Sequence, residues 1–261
     1  MKIENYGAGA RCDHVMRGLL EMESRGEIPA VVERIILLPI PSSRDRRHVT
    51  GTDRLIDDLL SDAGEGDLLI GYGIPQASAD SVSRRGGMVY DAMYDESFQE
   101  ENAYVSALGA LGYILTQLGC TPGDMRVGIV GYGRIGSILT RFLLFFGARV
   151  RVYTSNEQAR AELGACGVES VYLARGERVI PDIAGLDLIV NTAPTDLSDT
   201  FPEGTLPLGL RLIELASGQN FCGVTGVESL PSIPDRLYPS SAGKIYFRAI
   251  REYILSLECG A

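Results

Sequence analysis

The 261 residues are enough for about two domains; 24 Lys and Arg face 34 Asp and Glu for a net charge of −10, and 45% of the chain is hydrophobic. This is the composition of a water-soluble globular protein with ample material for a core. The acid excess excludes nucleic acid as the main partner, because a phosphate backbone calls for a basic surface.

The charge is uneven. Residues 1–120 carry 11 basic and 19 acidic side chains, whereas residues 121–261 carry 13 and 15, so the second half is the better host for an anionic ligand. Five Cys are scattered without a Cys-X-X-Cys pair. That pattern suits reduced thiols in a cytoplasmic protein better than a disulfide framework, and it offers no metal site. The first residues lack the apolar stretch of a signal peptide. No run of 18 apolar residues occurs, so no membrane association is expected.

In chain order, Arg34–Pro39 is a short apolar run closed by proline, which predicts a buried strand. Residues Arg54–Leu60 read as a helix, and Asp67–Gly71 as a second buried strand ending in the turn Gly71-Tyr72-Gly73. A third strand is expected at Gly87–Tyr90. From Glu100 to Leu118, Tyr104, Leu108, Leu111 and Leu115 recur one turn apart and predict a helix, which Thr121–Asp124 breaks.

Met125–Val130 is the next predicted strand. It runs into Gly131-Tyr132-Gly133-Arg134-Ile135-Gly136 and then a helix with Ile135, Ile138, Leu139, Phe142, Leu143 and Phe146 on one face. Gly147 stands where a helix C-cap belongs. Further strands are expected at Arg149–Thr154, Ser170–Leu173, Asp187–Asn191 and Arg211–Ala216, and a last helix at Ala242–Leu257. The expected fold class is α/β: a doubly wound parallel Rossmann sheet with a second, smaller N-terminal α/β domain. The expected divisions are an N-terminal domain at 1–99, a connecting helix at 100–120, a nucleotide-binding domain at 121–239, and a C-terminal helix at 240–261 packing back on the first domain.

A bare Gly-X-Gly-X-X-Gly is weak evidence in a chain with 31 glycines. Here it has a strand before it, an amphipathic helix after it and a second strand at the right distance. Gly131 would make the tight turn, Gly133 would admit a pyrophosphate, and Gly136 would let helix and strand pack. Arg134 and Ile135 complete the helix N-terminus that faces the phosphates. An NAD site usually ends its second strand on an acid. This chain has Thr154, Ser155 and Asn156 there, which favours NADP, with Arg134 or Arg160 adding charge; NAD is the alternative. The same three residues also suit the cap of a following helix. The strand-ending turns at Asn191, Thr192, Ala193 and Pro194, and at Ser217, should border the nicotinamide side.

Catalytic residues are harder to find. A 2-hydroxy-acid dehydrogenase uses a His for the proton and an Arg for the carboxylate. Both histidines, His14 and His48, precede the nucleotide motif, and the turn Ser217-Gly218-Gln219-Asn220 has no Arg, so that arrangement is excluded. Candidates for proton transfer are Ser241, Lys244 and Glu101, with Tyr94 and Glu96 behind them. Glu101 equally suits the start of a helix, and Lys244 a solvated helix position. Ser42 and Ser43, ahead of Arg44, are candidates for gripping a carboxylate.

Several segments together resemble the dipicolinate synthase A-subunit family of spore-forming bacteria. They are the helix 101–118, the run Val127–Gly136, Phe146–Val150, Leu186–Pro194, Leu212–Ser217, and the spaced run Pro231, Pro234, Pro239, Ser241-Ala242-Gly243 and Ile245. The resemblance covers residues 100–257 closely and 34–99 loosely. It implies two α/β domains with a deep cleft, and NADP-linked formation of dipicolinate from a dihydrodipicolinate-type precursor during sporulation. It also implies work with a flavoprotein-like second subunit. Three departures stand out. Ser240 replaces a family Lys, Gly218 replaces a family Arg, and the first domain is read as lacking a first strand and its Gly-rich turn.

The function expected is therefore hydride transfer with a small cyclic dicarboxylate. The substrate is expected between Asn191–Pro194, Ser217, Ser240, Ser241 and the turn around Gly73, with Ser42 and Ser43 nearby. Self-association is compatible with this. The alternative is a non-catalytic NAD(P)-binding subunit or redox-sensing scaffold, motivated by the missing His and the displaced basic residues.

Overall fold

The computed structural model describes residues 1–117 and 119–257. It divides the chain into two units, one comprising residues 1–102 with the chain from Pro234 onward, the other residues 103–233. The chain crosses between them inside one helix, α4 (Glu96–Gln117), and returns at Ile233–Pro234, where the short helix α7 (Ile233–Leu237) begins. Leu118, expected to end that helix, lies outside the described residues, as do 258–261 of the predicted C-terminal segment.

The first unit is built on four parallel strands in the order β1 (Lys2–Asn5), β2 (Arg34–Leu37), β3 (Asp67–Gly71) and β4 (Met88–Asp91). All five residues of β3 are buried, the continuous apolar pattern of a strand covered on both faces. Ile35, Leu37, Leu68 and Ile70 point to one face, where α1 (Ala10–Ser24) supplies Val15, Leu19 and Met22. On that face α8 (Pro239–Ser256) adds Tyr246, Ile250 and Ile254. Ile36 and Leu69 point to the other face, against α2 (Ile56–Leu59) and Val82 of α3 (Gln76–Arg84).

The strand β1 corrects the reading of a shortened first domain. Lys2–Asn5 pairs in parallel with Arg34–Leu37, and the turn through Gly7 and Gly9 leads straight into α1. The strand escapes sequence reading because it lies at the sheet edge with one apolar residue, Ile3, in four. The last helix begins at Pro239 rather than Ala242, with proline in the first turn where its missing N–H costs nothing.

The second unit holds a six-stranded, all-parallel sheet. Its strands are β5 (Arg126–Val130), β6 (Arg149–Thr154), β7 (Glu169–Tyr172), β8 (Leu188–Asn191), β9 (Arg211–Glu214) and β10 (Val227–Ser229). The order is β10-β9-β8-β5-β6-β7, which reverses direction at the β5–β8 junction. One face is packed by residues of α4, α5 (Arg134–Phe145) and α6 (Glu157–Ala165), among them Ala107, Ile114, Leu139, Leu143 and Leu163. The other face is covered by irregular chain instead of helices, through Leu173, Ile180, Leu197, Phe201 and Phe221. Gly147 closes α5 at φ +88°, its N–H on the Leu144 carbonyl. No helix among the described residues is long and apolar enough to cross a membrane.

Candidate functional site

In an open parallel sheet, ligands gather beyond the carboxyl ends of the strands where the order reverses. In the second unit those ends are Val130, Thr154, Tyr172, Asn191 and Glu214, and a groove of about 580 Å³ opens over the first three. It is lined by Gly131, Gly133, Thr154, Ser155, Asn156, Ala193 and Pro194 from the residues expected at a cofactor site. Tyr132, Tyr153, Leu173, Arg175 and Thr195 line it as well, and were not anticipated.

The three glycines differ in what they face. Gly131 sits at φ +89°, where an L side chain is strained, and a Cβ there would lie 2.8 Å from Thr192 Oγ1. A Cβ on Gly136 would lie 2.2 Å from the Gly131 carbonyl oxygen, so helix and turn touch backbone to backbone. Gly133 has φ −85°, and a Cβ there would meet nothing within 4 Å. Thus two glycines are demanded by the fold itself, while the middle one keeps open a space that the protein does not fill. Gly133 is also the N-cap of α5, which no side chain caps among the described residues, so the first-turn N–H groups and the positive helix end face that space. These features fit a dinucleotide pyrophosphate.

Around this turn the polar groups are specifically committed. Thr192 Oγ1 donates to the Val130 carbonyl at 2.9 Å, tying the β8 turn to the glycine turn. Asn156 Oδ1 accepts from Ala159 N at 3.1 Å and caps α6, and Asn156 N donates to Thr154 Oγ1 at 3.2 Å. Ser155 lines the groove and makes no side-chain hydrogen bond among the described residues. Burial raises the hydroxyl pKa of Tyr153 and of Tyr132, so both stay protonated.

Behind the β8 and β9 turns lies a group that sequence reading missed. Glu214 is 5% exposed. Its carboxylate accepts from Asn191 Nδ2, from Asn220 Nδ2 at 3.2 Å and from Ala216 N at 2.7 Å. Burial holds its pKa above the ordinary carboxylate range, against the pull of the two amides. Asn191 is fully buried and serves this network, while Ser217 is exposed and offers its carbonyl to Asn220. Of the other expected cofactor residues, Arg134 is exposed and already engaged, Ile135 packs against the core, and Gly136 is buried.

The remaining candidates lie in the first unit. Ser42 is fully buried and its Oγ accepts from Tyr72 N at 2.9 Å, so its hydroxyl is a strap between two strand ends. Ser43 donates to Asp45 at 3.2 Å. Gly73 takes φ +68° and donates its N–H to Asp91 at 2.8 Å. Glu101 pairs with Arg248. Ser240, Ser241 and Lys244 lie on the first turns of α8, all exposed. Tyr94 is exposed and Glu96 is engaged. His48 Nδ1 lies 2.6 Å from Asp45, and His14 stacks edge-on to Phe247.

A six-stranded parallel sheet in this order, with the glycine turn at its reversal point, defines a Rossmann-type nucleotide fold. The other unit is built on a parallel sheet as well, of four strands. No protein-family model matches the chain, and no curated protein matches it by sequence. Among solved structures it is similar to the dipicolinate synthase A-subunit from Bacillus subtilis, at 16% identity and TM-score 0.76, over 100% of this chain and 98% of that one. It is similar to the dipicolinate synthase A-subunit from Bacillus halodurans, at 17% identity and TM-score 0.73, over 97% of each chain. A phosphoglycerate oxidoreductase from Vibrio cholerae O395 follows at 16% identity and TM-score 0.54, over 100% of this chain and 98% of that one. At such identities the likeness is one of fold.

Proposed function

We propose that the chain is an NADP-dependent oxidoreductase acting on a small cyclic dicarboxylate of the dihydrodipicolinate type. The observation that carries the nucleotide part is the open space at Gly133 between Gly131, fixed by its φ of +89° and the close Thr192 side chain, and Gly136, fixed by the Gly131 carbonyl. Backbone N–H groups of the 131–136 turn and the uncapped end of α5 hold the pyrophosphate. Thr154 and Ser155 meet the adenosine ribose, and Asn191–Pro194 border the nicotinamide, with Ser217 on the same crest. When bound, the nicotinamide supplies a hydride donor or acceptor. Thr192 keeps the β8 turn against the glycine turn, and Glu214 keeps Asn191 in place. The dicarboxylate rests on likeness of fold to the dipicolinate synthase A-subunit; a flavoprotein-like second subunit and, separately, a homo-oligomer belong to the same reading. Free thiols at Cys12, Cys120, Cys166 and Cys222 suit a cytoplasmic setting.

One observation favours a second reading, a nucleotide-binding subunit without chemistry of its own. The second unit contains no His, and the buried acid at its crest, Glu214, is committed to Asn191, Asn220 and Ala216. Calorimetric titration with NADPH and NADH, followed by turnover assays on dihydrodipicolinate-type acids with and without a flavoprotein-like partner, separates the readings. Saturable binding with turnover supports the enzyme, saturable binding without turnover supports the scaffold, and no binding of either dinucleotide overturns both.

A further inference from the structure

The groove over β5, β6 and β7 has one cationic lining residue and no carboxylate. That cation is Arg175, on the turn after β7, followed by Gly176 at φ +83°. It is exposed, and no ion pair or side-chain hydrogen bond engages it among the described residues. The nearest acids along the chain are Glu177 and Glu169, and neither lines the groove. The two arginines that sequence spacing offered for this role are occupied elsewhere. The Arg160 guanidinium lies over the Tyr172 ring at 5.6 Å, and Arg134 has an interaction of its own.

We infer that Arg175 is the residue that selects a 2′-phosphorylated dinucleotide over its unphosphorylated form, acting from the turn after the third strand of the sheet. The inference rests on the nucleotide reading of the groove. Arg175 shares the groove with Thr154, Ser155 and Asn156, which end β6 where an NAD site would place an acid. A guanidinium matches a phosphate through two parallel N–H donors, which a lone hydroxyl cannot do. In a chain of net charge −10, a carboxylate-free patch holding an arginine with no ion pair among the described residues is a place where a dianion is tolerated.

The test compares NADPH with NADH, and 2′,5′-ADP with 5′-AMP, by calorimetry at fixed ionic strength on wild type, Arg175→Ala and Arg175→Lys. Melting curves check that the exposed substitution leaves the fold intact. Expected is tighter wild-type binding of the 2′-phosphorylated member of each pair. Arg175→Ala should lose about tenfold or more for NADPH and 2′,5′-ADP, the effect of one charge-assisted contact, with NADH and 5′-AMP essentially unmoved. Arg175→Lys should recover part of the loss. Equal weakening within each pair, no weakening at all, or a wild-type preference for NADH overturns the inference and leaves the nucleotide reading standing. Failure of the wild type to bind either dinucleotide overturns the nucleotide reading itself and this inference with it.

Discussion

Asn191 and Glu214 sit opposite one another in register on β8 and β9, and the carboxylate receives the Asn191 amide through both oxygens, at 3.1 and 3.0 Å. The pair joins the turn that borders the groove to the turn that carries Ser217. No cation balances the charge among these partners, so burial dominates and raises the Glu214 pKa.

That direction sets a pH dependence. The folded state holds the Glu214 proton more tightly than the unfolded chain does. Its contribution to stability is therefore full below the ordinary Glu value of about 4.3 and is lost as pH rises through the raised value. Glu214→Gln removes the titration. The stability of wild type relative to Glu214→Gln should fall as pH rises from about 4 toward neutrality, measured by urea midpoints at a series of pH values. A difference that stays level with pH would contradict this.

The glycine turn separates folding from binding. Gly133→Ala adds a methyl where nothing lies within 4 Å and φ is −85°, so the melting temperature should stay near that of wild type. Dinucleotide binding should nonetheless be lost, because the methyl occupies the approach to the pyrophosphate. Gly136→Ala, with its Cβ 2.2 Å from the Gly131 oxygen, should lower the melting temperature as well. Paired melts and titrations distinguish the two outcomes.

In the first unit, Arg34 on β2 forks onto Asp67 on β3, with Nε–Oδ1 at 2.8 Å and Nη2–Oδ2 at 2.6 Å. The Arg34 guanidinium holds the Asp67 carboxyl below its ordinary range. A depressed carboxylate contributes stability above its unfolded value of about 3.9, and that contribution is lost as pH falls through the lower folded value. Asp67→Ala should cost about 2 kcal/mol near neutrality, since Arg34 would be left half-buried without its principal partner. Asp67→Asn should flatten the acid limb of stability, read by denaturant titration below about pH 4.

Tyr246 is fully buried against Phe98, and its hydroxyl finds no hydrogen-bond partner among the described residues. Burying such a group without a partner costs about 1–3 kcal/mol, and its removal without loss of ring volume recovers that cost. Tyr246→Phe should therefore melt at or above the wild-type temperature in a calorimetric scan. A clear drop would reveal a polar partner for the hydroxyl.

The segments legible in the sequence are those whose neighbours are close in the chain. Residues 125–154 read correctly as strand, glycine turn, helix and strand because apolar spacing switches period where the glycines fall. The edge strand β1 and the helix α1 escape such reading, the first for having a single apolar residue, the second for a Gly18 within its apolar face. Arg175 carries no local signal. Its position after the third strand becomes meaningful only because β7 lies beside β6.

The sequence alone determined that a nucleotide-type turn exists and which glycines make it, since steric demands on a turn and periodicity of a helix act over a few residues. Tertiary structure decided that Arg175 shares a groove with Thr154–Asn156, that Ser42 is a strap and not a ligand to solvent, and that Glu214 answers Asn191. Those facts depend on strand order, and β5 finds its neighbours β6 and β8 across chain separations that local residue preferences do not encode.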